Sequence, residues 1–247
     1  MRNYIKAEFY RITRGRSVIS WIGYIAADLL LIFATFIYDL SAPTYQTVAS
    51  AFPMISAIIS IIPGVTIGKH YGDRTAYYEI MDGADIHKLI WYRLIVYVSV
   101  LTAVYFIPVS IVMLFFERNI STFIAIGLLY LIFLRMLFLV IGITMMFKTK
   151  EGAVIPYFFM MAETMAAMLT LHSNEDDLYI TMTEGITSIF GWFSATECTL
   201  ISNGIPLNTI SVKIIIGFIA EAVLTYCLAY ISYKRKWNIR TTLGTHV

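Results

Sequence analysis

Apolar residues in this chain come in long continuous runs rather than in alternation. Six runs cover positions 17–38, 48–68, 94–116, 122–146, 153–171 and 214–233, with short polar segments between them. A helix needs ~20 predominantly apolar residues to cross the ~30 Å hydrocarbon core, so each run predicts a transmembrane helix. Continuous runs favour helices over a membrane barrel, whose strands alternate between lipid and lumen. The expected fold class is an all-α polytopic membrane protein with six transmembrane helices, forming a single membrane domain over residues 1–247. The first run does not read as a cleaved signal peptide. It is longer than the apolar stretch of such peptides, carries Asp28 at its centre and opens a series of six.

Charge gives these spans a direction. When the connecting segments are assigned alternately to two sides, 15 of the 18 Lys and Arg fall on one side. They are Arg2, Lys6, Arg11, Arg14, Arg16, Lys69, Arg74, Lys88, Arg93, Lys148, Lys150, Lys234, Arg235, Lys236 and Arg240. The other side has Arg118 and Lys213, with acidic Glu175, Asp176 and Asp177. Basic residues near span ends stay in the cytoplasm, so both termini are expected there. The net charge of +2 hides this asymmetry, and the 59% hydrophobic content with only 14% charged residues agrees with the membrane reading.

The spans leave three segments able to do something specific. Residues 1–16 place Ile5, Phe9 and Ile12 at i, i+4, i+7 spacing with basic residues elsewhere around the wheel. This pattern predicts an amphipathic interfacial helix, although plain topogenic charge would also account for the basic residues. The loop 69–93 (KHYGDRTAYYEIMDGADIHKLIWYR) is the one cytoplasmic connection long enough to fold. Asp82-Gly83 is a turn signal, and Asp85 is placed to cap a helix running into the third span. Such a loop can receive a push from a cytoplasmic protein; it can equally be an ordinary helical hairpin. On the outside, 172–213 contains an apolar stretch, 186–201, interrupted by Gly191, Thr196 and Glu197. A seventh crossing there would carry the basic tail outside, so a re-entrant or interfacial segment is expected.

Four ionisable residues fall inside the spans: Asp28, Arg135, Glu163 and Glu221. Each costs ~2.5–3.5 kcal/mol or more at a helix centre unless paired or hydrated. Asp28, Arg135 and Glu163 share a depth, so the expectation is a buried cluster with Arg135 pairing Asp28 or Glu163. It serves either as a salt bridge between helices or as a charged lining for a proton or substrate path. Pro53, Pro63, Pro108 and Pro156 also lie in the runs and permit bends. Cys198 and Cys227 are placed outside and within the last helix respectively, so no disulfide framework is expected.

Several chemistries find no support in the sequence. It has no G-x-x-x-x-G-K-[ST], H-E-x-x-H or G-x-S-x-G, and its four His are scattered. Neither enzymatic activity nor a bound cofactor or metal is expected of this chain. Its basic residues line span ends and do not form a nucleic-acid surface.

Taken together, these pieces resemble the permease subunits of ABC transporters of the ABC-2 type. The resemblance lies in the opening MRNYIKAEFYRITRGRSVISW, the six spans, the loop YGDRTAYYEIMDGADIHKLIWYR and the long apolar segment before the last span. It implies a coupling helix between the second and third spans, docking on a separate ATPase pair that binds ATP and Mg. Arg74, Tyr77, Tyr78, Glu79, Asp82, Gly83, Asp85, His87 and Lys88 are the implied ATPase-coupling residues. It further implies external re-entrant helices before the last span and pairing with a second permease subunit, identical or related. The small size, with no fused nucleotide domain, is similar to bacterial plasma-membrane exporters of peptides, bacteriocins or drugs. The alternative class is an ion-coupled secondary transporter built on Asp28, Arg135 and Glu163.

Overall fold

The computed structural model describes residues 44–72, 85–171 and 194–243, together with Ile5, Lys6, Phe9, Tyr10, Ile22, Gly23 and Ala26. Among the described residues every regular element is helical. Among the described residues, four helices are long and apolar enough to cross a membrane: Tyr45–Tyr71, Ile86–Phe116, Ile120–Phe147 and Leu207–Lys234. These contain the expected spans at 48–68, 94–116, 122–146 and 214–233, whereas the expected span at 153–171 forms a helix, Val154–Leu171, that is not among the four. The expected span at 17–38 lies outside the described residues except for Ile22, Gly23 and Ala26.

We number the described helices along the chain. Helix α1 is Tyr45–Gly72 and continues through both Pro53 and Pro63. Helix α2 covers Ile86–Phe116. Its start follows from Asp85, whose extended backbone and side chain, accepting from the His87 N–H at 3.0 Å, form an N-cap. Midway it widens into a π-turn, Thr102–Phe106, closed by the Ile107 N–H donating to the Thr102 carbonyl. The cause is Pro108, which has no N–H to offer one turn back; the extra residue in the turn absorbs the mismatch.

Helix α3, Ile120–Phe147, ends where Lys148 takes left-handed backbone, φ 58°. Thr149 then accepts from the Gly152 N–H and starts a 3-10 turn, Lys150–Ala153, leading into α4, Val154–Leu171. A short helix α5, Ser194–Ser202, is followed by a turn through Gly204 and the long α6, Leu207–Leu243. Its 37 residues, at ~1.5 Å each, make α6 much longer than a ~30 Å hydrocarbon core requires. The expected span 214–233 is its apolar centre. Hydropathy marks that part, while helical backbone persists into polar flanks where hydrogen bonding still favours it.

Helix α3 sits at the centre, packed chiefly on α6 and α1. Lipid offers little hydrophobic drive between helices, so close approach and polar contacts hold them. At the α1–α3 contact a Cβ on Gly64 would come within 2.6 Å of Ala153 and Val140. Ser56 of α1 and Tyr105 of α2 meet through their hydroxyls at 3.0 Å. Around them Phe52, Tyr105, Phe106, Tyr130 and Phe133 form one aromatic core. Large apolar residues such as Ile111, Phe115, Phe123, Phe158 and Ile219 stand exposed, a surface suited to lipid.

Candidate functional site

Two clusters of polar side chains interrupt the apolar packing. The first gathers where α1 ends and α2 begins, on either side of residues 73–84. Arg93 is fully buried, and its Nη1 donates to the Tyr71 hydroxyl at 3.2 Å and to the Tyr233 hydroxyl at 3.1 Å. The two tyrosine hydroxyls are also hydrogen-bonded to each other, and the guanidinium lies 5.3 Å from the Tyr71 ring centre. Lys148, at the end of α3, sits 5.2 Å from the Tyr233 ring centre, and its Nζ donates to the Ser232 carbonyl at 2.7 Å. Three helices therefore converge on one turn of α6.

One turn earlier, His87 stacks on Tyr230 at 4.5 Å and on Tyr226 at 6.0 Å, and its Nδ1 is hydrogen-bonded to the Tyr226 hydroxyl. Trp91 lies 5.8 Å from Tyr226. Tyr226, Tyr230 and Tyr233 are spaced i, i+4, i+7 and so share one face of α6. That spacing is readable in the sequence. What faces it is not, because nothing local pairs the start of one span with the end of another.

Of the nine coupling residues the resemblance implies, Arg74, Tyr77, Tyr78, Glu79, Asp82 and Gly83 lie outside the described residues. The other three have definite places. Asp85 caps α2 and lies 3.9 Å from Lys88, both substantially exposed. His87 rests on the tyrosine face of α6.

The second cluster is centred on Arg135, 1% exposed at the middle of α3. Its Nη1 donates to Glu197 of α5, which is wholly buried, and its Nη2 donates to Glu221 of α6 at 2.7 Å. Glu163 of α4 is set against the Ala195 N–H at the start of α5 and within electrostatic reach of Arg135, Glu197 and Glu221. A carboxylate at a helix N-terminus is favoured by the helix dipole. Gly217 makes room for the guanidinium: a Cβ there would lie 2.7 Å from Nη1 and 2.8 Å from Cζ.

Sequence reasoning placed Arg135, Glu163 and Glu221 among the intramembrane charges, and the structure brings these three to one place. Asp28 lies outside the described residues. Glu197 was read as a polar interruption of an apolar stretch and is instead a direct partner of Arg135. The signal was present, since an ionisable residue inside an apolar run needs a partner. Arg135 therefore ties α3 to both α5 and α6. Next to Glu197, Cys198 is also wholly buried, and burial pushes its thiol well above the ordinary range.

These features define the class: a membrane protein whose described residues are all-helical, with several membrane-capable helices. Searches against protein-family models, curated proteins and solved structures found no match.

Proposed function

We propose that this chain is the membrane-spanning permease subunit of an ATP-driven exporter of the ABC-2 type. In this reading six spans place both termini in the cytoplasm, and residues 73–84 form the centre of a loop that docks on a separate ATPase pair. A second permease subunit completes the pathway, and the cargo is a hydrophobic or amphipathic peptide or drug leaving a bacterial cell.

The observation that carries the reading is the hairpin of α5 and α6. The described part of α5, Ser194–Ser202, rises ~14 Å and ends at the Gly204 turn that leads into α6. The helix packs against α1, α4 and α3 and reverses through Gly204 into α6. A re-entrant segment needs protein cover for its backbone and its polar side chains. Arg135 and Glu163 supply that cover for Glu197 and the Ala195 N–H. The Asp85 cap adds support, because it starts a continuous helix directly after 73–84 and so gives a docked ATPase something rigid to push.

The test is purification of the tagged chain in mild detergent from its own host, followed by reconstitution. A P-loop ATPase that co-purifies and hydrolyses ATP faster in complex with this chain supports the reading. A chain that arrives alone and moves solute on a proton or sodium gradient sinks it. That result would establish the second reading, ion-coupled transport, which the carboxylates around Arg135 favour.

A further inference from the structure

The cluster around Arg135 gathers more negative than positive charge. Glu197 of α5 and Glu221 of α6 hold the guanidinium, and Glu163 of α4 lies within electrostatic reach of all three. Lys213, two turns before Glu221 on α6, lies within reach of Glu197. Among the described residues, two cations thus face three carboxylates. The only other ionisable group of α5 is Cys198, and α1, packed against α5, carries none between Tyr45 and Lys69. Tyr130, Tyr157 and Tyr226 are the nearest tyrosines along α3, α4 and α6. They meet Thr102, Phe158 and His87 respectively.

A surplus carboxylate out of water is neutralised rather than left charged. Glu197 and Glu221 each receive a guanidinium N–H, which favours their ionised form, whereas Glu163 receives the backbone N–H of Ala195. Glu197 also supplies the acceptor that a neutral carboxyl needs. Its Oε2 lies on Arg135, so Oε1 sits inside the cluster, on a wholly buried side chain and with no hydrogen-bond partner. Leaving such an oxygen unmatched is costly. A metal ion does not fit, because among the described residues no three His, Cys, Asp or Glu side chains stand together to hold one. A proton needs only a single acceptor.

We infer that the cluster binds one exchangeable proton at neutral pH, carried on Glu163 and donated to Glu197 Oε1, which clips α4 to α5. The inference stands apart from the permease reading, since it concerns the resting bundle and not the source of energy. Glu163 and Glu221 are only partly buried, so the proton can exchange without the bundle opening. Without it, two carboxylates repel each other across the α4–α5 contact. The folded chain holds a proton that the unfolded chain releases, so the clip is present at acidic pH and is lost as pH rises.

The experiment uses the full chain in lipid nanodiscs with glutamate labelled by ¹³C at the side-chain carboxyl. Infrared spectroscopy at neutral pH reads the C=O stretch of a protonated carboxyl, and the isotope shift assigns it to Glu. The expected result is one such band, absent from Glu163→Gln and kept in Glu151→Gln, an exposed control. Glu163→Gln keeps the side-chain volume and an N–H donor toward Glu197, so it stays folded at neutral pH. Unfolding in detergent from neutral to mildly alkaline pH gives the second readout. The unfolding constant of the parent chain should rise by roughly tenfold more per pH unit than that of Glu163→Gln. No band at neutral pH, a band that survives Glu163→Gln, or equal pH slopes overturns the inference. So does a band seen with choline as the only added cation and erased by sodium, because the ligand is then the metal ion. ATPase stimulation enters none of these readouts, so the permease function is judged separately.

Discussion

Arg135 of α3 and Glu197 of α5 form an ion pair with both side chains buried, and it fastens the short helix before the last span to the centre of the bundle. Glu221 of α6 shares the same guanidinium. The pair is costly to bury and more costly to break, because removing one partner leaves the other charge buried and unmatched.

Arg135→Leu is therefore expected to destabilise the protein by ~3–5 kcal/mol. Glu197→Gln is expected to cost less, since Arg135 keeps Glu221. Combining Arg135→Leu with Glu197→Leu should recover part of the loss, because the stranded carboxylate is then gone. Thermal unfolding in detergent measures all three, and strict additivity of the two Leu substitutions would contradict the pairing.

Gly217 is expected to be intolerant for a steric reason. Gly217→Ala puts a methyl against the Arg135 guanidinium, and the strain plus the displaced ion pair should cost ~1–3 kcal/mol. Gly127→Ala is the control, since a Cβ there meets nothing within 4 Å and should not destabilise. The comparison needs only two melting curves, and equal losses at both positions would count against the account.

The two cysteines should react differently. Cys198 is buried with its thiol pushed up, and Cys227 is exposed, so a membrane-permeant maleimide should label Cys227 alone in the folded protein. Unfolding in SDS should then expose Cys198 to the reagent. Intact-mass measurement reads both states, and rapid labelling of Cys198 in the native protein would contradict the packing of α5.

Replacing the cap at the start of α2 should act locally. Asp85→Ala removes the acceptor for the His87 N–H and should cost ~1 kcal/mol. Hydrogen exchange should quicken over the first turn of α2, with the turns beyond Arg93 unchanged. Uniform exchange along the helix in both forms would argue against the cap.

Different physical causes made parts of this fold legible in the sequence and hid others. The apolar runs announced α1, α2, α3 and α6 because a bilayer imposes length and composition together. The start of α2 was legible because a cap is a local event, settled by Asp85 and the two residues after it. The length of α6 was not, since hydropathy marks the membrane-embedded part while the helix runs on. Arg135, Glu163 and Glu221 were visible as expensive charges. The pairing of Arg135 with Glu197 was not, because it joins helices whose relative depth only the folded bundle fixes. The tyrosines at 226, 230 and 233 were in register from the start. Their meeting with His87 and Arg93 depends on which face of α6 turns toward α2.

The central claim, that residues 73–84 couple a partner ATPase to these spans, is tested most directly by measuring ATP hydrolysis in proteoliposomes holding the chain and its co-purified ATPase. Residues 73–84 are replaced by a Gly-Ser segment of equal length. The account predicts that the stimulation conferred by the chain is lost, while the ATPase alone keeps its basal rate and the chain keeps its melting temperature. Undiminished stimulation with the replaced loop would contradict it.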